Sequence, residues 1–215
     1  MKKIIIVGAG ASGVYLSILL KQKLGACVDV IVLEQNASPL KKLLATGNGR
    51  CNLSNKNMSI DYYQSDNQDL VEKIIMPFDM KKAMEDIGLL CEYQGQLLYP
   101  KSEQALSVKR VMIDLAESLG VLFFYEQEVL QITQQEKYML TTSKQTFSCD
   151  TVILAMGSEA GKLSGITNSR YQILKKLHLH TVPSTPSLVQ MKTNPVLKQL
   201  KGVRVKGTFT LLENN

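Results

Sequence analysis

A glycine motif near the start of the chain combines the residue types that bind a phosphate group. The motif is Gly8-Ala9-Gly10-Ala11-Ser12-Gly13, and it follows the apolar run Ile4-Ile5-Ile6-Val7. Gly8 permits a tight turn, Gly10 lets the backbone approach a pyrophosphate, and Gly13 lets the following helix pack closely on the strand. The N-terminus of that helix offers free N–H groups and the positive end of its dipole. The motif therefore predicts a pyrophosphate-binding turn.

A carboxylate follows the next apolar run at the spacing typical of adenine dinucleotide sites. Glu34 directly follows the run Val28–Leu33 and lies about 20 residues after Gly13, as such sites require. A carboxylate there accepts hydrogen bonds from ribose hydroxyls and repels a 2′-phosphate, so it disfavours an NADP-type cofactor. The alternative is a strand, turn and helix without a ligand. Because strand, glycines, helix, second strand and acid are all in register, an adenine dinucleotide is favoured.

The second motif is Thr46-Gly47-Asn48-Gly49-Arg50-Cys51-Asn52. Its glycines permit positive φ values, and successive N–H groups in such a loop form a nest that binds anions. Arg50 adds a forked cation that can bridge phosphate or flavin oxygens. Taken alone, this stretch is better explained as a surface turn with an unrelated arginine. For Cys51, a thiol of lowered pKa, a cofactor contact and plain packing are all open, and the last two are favoured because no partner cysteine is close in sequence.

Alternating strands and helices must position these motifs. The runs Ile4–Val7 and Thr151–Ala155 predict parallel strands, and the β-branched first run is expected to be buried on both faces. Ser102 is expected to cap the helix that it begins. The proline-rich segment 181–195 indicates a boundary. Helices are predicted at 12–24, 40–45, 69–78, 80–87, 102–119 and 171–177, and further strands at 28–33, 121–125, 202–212, in a hairpin within 91–99, and in an antiparallel meander at 127–133, 138–142 and 146–149.

Four segments resemble the BaiN-like flavoproteins, a family that includes aminoacetone-oxidase-like enzymes. The longest runs from Lys41 to Asn55 and contains the whole second motif, which makes it specific. Leu98-Tyr99-Pro100 with the following helix, and Pro186-Ser187-Leu188-Val189, support it. Val152 to Gly157 is similar to the strand that closes the FAD-binding part in this superfamily. The resemblance therefore extends over nearly the whole chain.

The resemblance implies FAD as the cofactor and assigns residues to it. The assigned residues are Gly8, Gly10, Ala11, Ser12 and Gly13 at the pyrophosphate turn; Glu34 and Gln35 at the adenosine ribose; Lys42, Gly47, Gly49, Arg50, Cys51 and Asn52 along the phosphates and ribityl chain; Val129, through its backbone, at the adenine; and Ala155, Met156 and Gly157 near the adenosine end. No catalytic residue is assigned, because in flavoenzymes the cofactor carries the chemistry.

The resemblance also implies an α/β fold. It is a Rossmann-like FAD-binding domain of the glutathione-reductase type, with a central parallel sheet and an antiparallel β-meander, over residues 1–185. Residues 186–215 would begin a second, β-rich domain. Family members are longer and return to the first domain with a glycine-rich segment that contacts the flavin ring. The flavin-ring pocket, and any substrate pocket between the domains, would therefore be incomplete in this chain.

The composition of the chain narrows its possible partners, its location and its metal sites. The net charge is +6, but no basic stripe is interleaved with aromatic residues, so nucleic acid is not an expected partner. No apolar stretch is long enough to cross a membrane. The four scattered cysteines predict reduced thiols in a cytoplasmic protein. His178 and His180 have no acidic or cysteine cluster beside them, so we expect surface histidines and no metal site.

Two functions from different classes remain open. The first is an FAD-dependent oxidoreductase that transfers hydride between a small organic substrate and the flavin, with NAD(P)H as a candidate electron donor. The second is an FAD- or ADP-binding fragment without turnover, since the C-terminal segment that contacts the flavin is absent. A third and weaker candidate, an NAD-binding domain, is disfavoured by the second motif.

Overall fold

The computed structural model describes residues 1–157 and 169–181, with side chains from residue 172 in the second range. Contacts divide the chain into Met1–Thr181 and Val182–Asn215, and the account below concerns the first of these units. The predicted strand at 202–212 and nearly all of the segment 181–195 lie outside the described residues. The predicted domain limits, 1–185 and 186–215, stay a prediction.

Strands and helices alternate through the first half of the unit, and strands dominate the second. The strands are β1 (Lys2–Val7), β2 (Val28–Leu33), β3 (Ser54–Asn55), β4 (Cys91–Gln94), β5 (Leu97–Pro100), β6 (Leu122–Phe124), β7 (Val129–Gln134), β8 (Tyr138–Thr142), β9 (Thr146–Cys149) and β10 (Thr151–Leu154). The helices are α1 (Ala11–Leu24), α2 (Lys41–Ala45), α3 (Gln68–Ile75), α4 (Met80–Asp86), α5 (Ala105–Ser118) and α6 (Ser169–Lys176), with 3₁₀ turns at Gly25–Cys27, Thr46–Gly49 and Ile60–Tyr62.

The central sheet is parallel, in the order β10-β1-β2-β6. The end of β1 is paired on both sides, with Val7 opposite Leu33 of β2 and Leu154 of β10. Ile5 and Ile6 are both fully buried although they face opposite sides of the sheet. The predicted burial of β1 on both faces is therefore confirmed, and each such side chain stabilises the fold by about 1.5–3 kcal/mol.

Two apolar layers cover the two faces of this sheet. On one face, Ile4 and Ile6 pack with Val14 and Ile18 of α1 and with Val108 of α5. On the other, the core consists of residues from the sheet, the meander and α6, namely Ile5, Val7, Ile31, Leu33, Val129, Ile132, Leu140, Cys149 and Ile173. The helices and the meander thus hold the carboxyl ends of β1, β2 and β10 in fixed positions.

The predicted antiparallel elements are confirmed as two further sheets, in the orders β3-β5-β4 and β7-β8-β9. The hairpin β4–β5 and the meander β7–β9 lie where the sequence predicts them. Among the described residues no helix is both long enough and apolar enough to cross a bilayer.

The start of α5 differs from its prediction. The helix begins at Ala105, and its N-cap is Gln104, whose side chain makes no capping hydrogen bond. The Ser102 hydroxyl instead accepts a hydrogen bond from the Gln104 backbone N–H, at 3.3 Å. Serine oxygens stabilise such local turns as readily as helix ends, so the residue type alone could not separate the two roles.

Candidate dinucleotide-binding site

A cavity of about 640 Å³ lies at the carboxyl ends of the parallel strands. Gly8 follows β1, Glu34 follows β2 and Ala155 follows β10, and all three line the cavity. Strand order reverses direction at β1, and ligands of open parallel sheets bind at such a switch point. Twelve of the predicted cofactor residues line it, namely Gly8, Gly10, Ala11, Ser12, Glu34, Gln35, Lys42, Cys51, Asn52, Ala155, Met156 and Gly157.

Each glycine of the first motif is required for a different local reason. Gly8 has φ +112°, and a Cβ there would lie 2.4 Å from the carbonyl oxygen of Ala155. A Cβ at Gly13 would lie 2.1 Å from the carbonyl oxygen of Gly8, so the strand and α1 can approach only if this residue is glycine. At Gly10 no atom lies within 4 Å of the added Cβ. The protein does not fill the space beside Gly10, which lines the cavity and is open to a ligand.

The N-terminus of α1 is open to an anion. Gly10 is its N-cap, no side chain caps it, and no acidic residue lies in its first turn. The first backbone hydrogen bond of the helix runs from the Val14 N–H to the Gly10 carbonyl oxygen, at 3.0 Å. Ala11 and Ser12 come before Val14 in the first turn of the helix. Both residues are exposed and line the cavity. A phosphate at this point would accept hydrogen bonds from these N–H groups and interact favourably with the helix dipole.

Glu34 is buried, with 8% of its surface exposed, and three donors hold its carboxylate. Oε2 accepts from the backbone N–H of Ala9 at 2.9 Å. Oε1 accepts from the backbone N–H and the side-chain amide of Asn36, at 2.9 and 2.6 Å. A carboxylate offers about four acceptor positions, so one remains for a ribose hydroxyl. Lys41 donates to Asn36 Oδ1 at 2.8 Å and extends the network to α2.

The second motif forms a loop with a left-handed backbone. Gly47, Asn48, Gly49 and Cys51 have φ values of +56°, +56°, +84° and +62°. Backbone hydrogen bonds close the loop. The Arg50 N–H donates to the Gly47 carbonyl at 3.2 Å and also to the Thr46 carbonyl, and the Cys51 N–H donates to the Thr46 carbonyl at 3.1 Å. Cys51 and Asn52 line the cavity, while Gly47 and Gly49 are not among its lining residues.

Arg50 extends towards the hairpin β4–β5 and is not among the lining residues of the cavity. Its guanidinium donates to Glu103 and Gln94, both at 3.3 Å, and to the hydroxyl of Tyr99, also at 3.3 Å. It also lies over the Tyr99 ring, 4.4 Å from the ring centre. The assignment of Arg50 to the phosphates therefore finds no contact in this geometry and stays a prediction.

Burial determines the direction in which the pKa of the Cys51 thiol is shifted. Only 2% of the residue is exposed, and this burial raises the pKa of the thiol, although a hydrogen bond with Thr46 acts in the opposite direction. The suggestion of a lowered pKa is therefore wrong. Burial likewise raises the pKa of Cys91 to about 11. All four cysteines are free thiols.

Val129 and Gly13 are buried beside the site without lining it. Val129 is the first residue of β7 and packs in the core of the meander face. Its strand is nevertheless attached to the site, because the Gln127 N–H donates to the Glu34 carbonyl oxygen at 2.8 Å. Lys42 of α2 lies close to the segment that follows β10, because its Nζ is 3.9 Å from the position of an added Cβ at Gly157.

Sequence patterns missed the apolar wall of the cavity. This wall consists of Tyr15, Leu43, Leu53, Phe78, Met80, Met84, Val108 and Met112, from α1, α2, α4, α5 and the connecting segments. Helical periodicity correctly placed Val108 and Met112 on the inner face of α5, but it cannot separate a core from a cavity lining. Asn36 was also missed, and its only signal is an amide residue two positions after the acid.

Among residues 1–157 and 172–181, no group of three or more histidine, cysteine or acidic side chains could hold a metal ion. His178 and His180 are both exposed.

The chain matches a known protein family over nearly its whole length. The family model described as the HI0933-like protein Rossmann domain matches residues 2–210. The chain belongs to this HI0933-like family. The resemblance to BaiN-like flavoproteins is thereby confirmed, and so is the Rossmann-like fold.

Two relatives of this HI0933-like chain have named activities. It is 32% identical to the 3-dehydro-bile acid delta(4,6)-reductase of Clostridium scindens, over 89% of this chain and 48% of that protein. It is 27% identical to the ribosomal RNA dihydrouridine synthase of Escherichia coli, over 96% of this chain and 53% of that protein. The chain thus spans about half the length of both relatives.

Among solved structures, the HI0933-like chain is similar to THI4 of Thermovibrio ammonificans. The TM-score is 0.51 at 14% identity, over 74% of this chain and 58% of that one. At this identity the likeness shows the fold alone.

Proposed function

We propose that this chain is the FAD-binding part of a flavin-dependent oxidoreductase that transfers hydride between a small organic substrate and the flavin. The observation that carries the proposal is the match to the HI0933-like family over residues 2–210, combined with a cavity that gathers twelve residues assigned to FAD. When bound, FAD would supply the acceptor and donor of the hydride. The residues described above would bind and orient it.

The residues that are present fit FAD. Gly10 leaves the open space that a pyrophosphate needs, and the uncapped start of α1 supplies N–H donors to it. Glu34 keeps one acceptor position for a ribose hydroxyl, and its negative charge disfavours a 2′-phosphate. A volume of about 640 Å³ falls within the range of about 300–1,000 Å³ typical of ligand pockets.

The two relatives suggest the bond that is reduced. A 3-dehydro-bile acid with Δ4,6 unsaturation and the uracil ring of uridine share one chemical group, a carbon–carbon double bond conjugated to a carbonyl. Both printed names describe the addition of hydrogen to such a bond. We infer the same substrate group for this protein.

Two substrates of different size and polarity carry this chemical group. The Clostridium scindens relative, whose named substrate is a bile acid, favours a small apolar substrate. The second candidate is a uridine in ribosomal RNA, which the Escherichia coli relative and the net charge of +6 favour. We propose the small apolar substrate, with NAD(P)H as electron donor, no nucleic-acid or membrane partner, and a cytoplasmic location that suits four free thiols.

The first experiment is an absorbance spectrum of the purified chain before and after addition of FAD. Flavin bands that co-purify, or that shift on titration, are expected and would support FAD binding. The second step is anaerobic turnover with NAD(P)H and either a conjugated steroid enone or a uridine-containing ribosomal RNA fragment. Binding without turnover of either substrate would favour the FAD-binding fragment, and a chain that takes up no FAD would contradict the cofactor proposal for these 215 residues.

A further inference from the structure

Arg50 is a cation in the motif assigned to FAD, yet its contacts are all outside the cavity. From this we propose that Arg50 is a positioning residue. It clamps the loop 46–52 against the hairpin β4–β5 and so holds Cys51 and Asn52 in the cavity wall, without touching the cofactor itself. The inference rests on the proposed FAD site, because its consequence is a change in FAD affinity.

The clamp consists of Arg50 and three side chains from the hairpin and the turn that follows it. Arg50 Nη1 donates to Glu103 Oε2 and to Gln94 Oε1, and Nη2 donates to the Tyr99 hydroxyl, each at 3.3 Å. The Gln94 amide donates to Glu103 Oε1 at 2.6 Å, which closes the network. These hydrogen bonds, the one from Gln94 first, hold the pKa of Glu103 below its usual value. Glu103 is therefore ionised at neutral pH and available to the guanidinium.

Two non-glycine residues of the loop have a strained backbone, which an external support helps to hold in place. Asn48 and Cys51 are non-glycine residues with left-handed φ values, which is a conformation that side chains disfavour. Hydrogen bonds from the Arg50 and Cys51 N–H groups close the loop internally. The buried ring of Tyr99 lies 3.4 Å from the position of an added Cβ at Gly47, so the ring that Arg50 covers also supports the first turn of the loop.

The geometry favours a clamp over an exposed ion pair that contributes nothing to the position of the loop. The side chains of Arg50 and Glu103 are 43% and 48% exposed, and a single ion pair with this exposure stabilises little. Here the planar guanidinium makes three hydrogen bonds and one ring contact at once, which a lysine ammonium cannot reproduce. The three partners lie 44, 53 and 49 positions further along the chain, so the network joins two parts of the fold.

Glu103→Gln separates the clamp from direct phosphate binding, because the two roles predict opposite signs. If Arg50 is a clamp, this variant removes its charged partner, and we expect FAD to bind about 3- to 5-fold more weakly. If Arg50 were a phosphate ligand, Glu103 would compete for it, and the variant would bind FAD more tightly. Affinity is measured by titration of flavin fluorescence. The matched control is Glu126→Gln, since Glu126 also has a positive φ and an exposed ion pair, with Lys144 at 3.1 Å.

Two further variants complete the test. Arg50→Lys keeps the charge and loses the fork, so a clamp predicts a loss of affinity close to that of Arg50→Gln, whereas a phosphate ligand predicts affinity close to wild type. The double variant of Arg50→Gln with Glu103→Gln should bind FAD no more weakly than Arg50→Gln alone, because both changes break one network. Additive losses would overturn the proposal.

Hydrogen exchange of the protein without FAD tests the clamp independently of the cofactor. In Glu103→Gln the backbone amides of Arg50 and Cys51, which close the loop, are expected to exchange faster than in wild type, while amides of β1 stay protected. Unchanged exchange at both amides would overturn the clamp even if FAD affinity fell. If wild type bound no FAD at all, the proposed function would fail for this chain, and faster exchange would still support the clamp.

Discussion

Glu34 and Ala9 are joined by a hydrogen bond of 2.9 Å between the carboxylate Oε2 and the backbone N–H. This contact connects the residue after β2 to the turn after β1. The acid therefore has two roles, since it organises the glycine turn and offers its remaining acceptor position to a ribose. A loss of Glu34 should affect both folding and cofactor affinity.

We predict that Glu34→Gln weakens FAD binding at least about 10-fold and lowers the free energy of unfolding by about 1–3 kcal/mol. A glutamine has one acceptor oxygen, whereas Glu34 meets donors on both of its oxygens, so either the buried Ala9 N–H or the partly buried Asn36 N–H loses its partner. Flavin titration and urea unfolding measure the two effects. The control is Glu136→Gln at an exposed turn position, which should change neither quantity. Wild-type FAD affinity in Glu34→Gln would contradict the assignment of this acid to the ribose.

Two alanine substitutions within the first motif should separate folding from binding. At Gly13 a Cβ would lie 2.1 Å from the Gly8 carbonyl oxygen, so Gly13→Ala is expected to destabilise the protein by about 3 kcal/mol in spite of the better helix propensity of alanine. At Gly10 no atom lies within 4 Å of the added Cβ and φ is −77°, so Gly10→Ala should cost about 1 kcal/mol or less. Its methyl group enters the space assigned to the pyrophosphate.

The measurements for this pair are thermal unfolding without FAD and flavin titration. Gly10→Ala should show nearly wild-type unfolding with an FAD affinity reduced at least about 10-fold, which is the cost of about 1.4 kcal/mol from a steric contact. A Gly10→Ala protein that binds FAD as wild type does would show that the ligand does not approach this backbone.

The sheet and the first motif could be predicted because their rules are local. A β-branched run, glycines at fixed spacing and an acid at the end of the next strand specify β1, α1, β2 and Glu34 without distant contacts. The same holds for α5, whose inward positions Val108 and Met112 follow helical spacing. These elements appear in the structure within a few residues of their predicted limits.

The direction of Arg50 and the apolar wall could not be predicted, because both depend on residues distant in sequence. The partners of Arg50 are at positions 94, 99 and 103, and no pattern within the loop indicates them. Phe78, Met84 and Met112 come to line one cavity only after the helices pack. Motif reasoning assigned Arg50 by residue type, and residue type does not determine on which side of a loop a long side chain lies.

Burial predicts which thiols react. Cys27 is exposed, whereas Cys51, Cys91 and Cys149 are buried and burial raises the pKa of each of these three. The thiolate is the nucleophile, so in the folded protein at pH 8 we expect an aromatic disulfide reagent to label Cys27 rapidly and the other three only after unfolding. Cys27→Ala should then abolish the rapid phase. Rapid labelling of Cys51 would show that the loop 46–52 opens in solution.

The raised pKa of Cys91 makes a contribution to stability that depends on pH. Its thiol titrates at about 11 in the folded protein against 9.0 for the unperturbed group, mainly because of burial and then because of Glu85. The folded state therefore holds this proton more tightly than the unfolded state does. That contribution is complete below pH 9 and is lost as pH rises towards 11. We expect the wild type to lose more stability than Cys91→Ala between pH 9 and pH 11, measured by urea unfolding at each pH. Comparison with Cys27→Ala, at an exposed position, removes the general effect of high pH, and equal losses in Cys91→Ala and wild type would contradict the prediction.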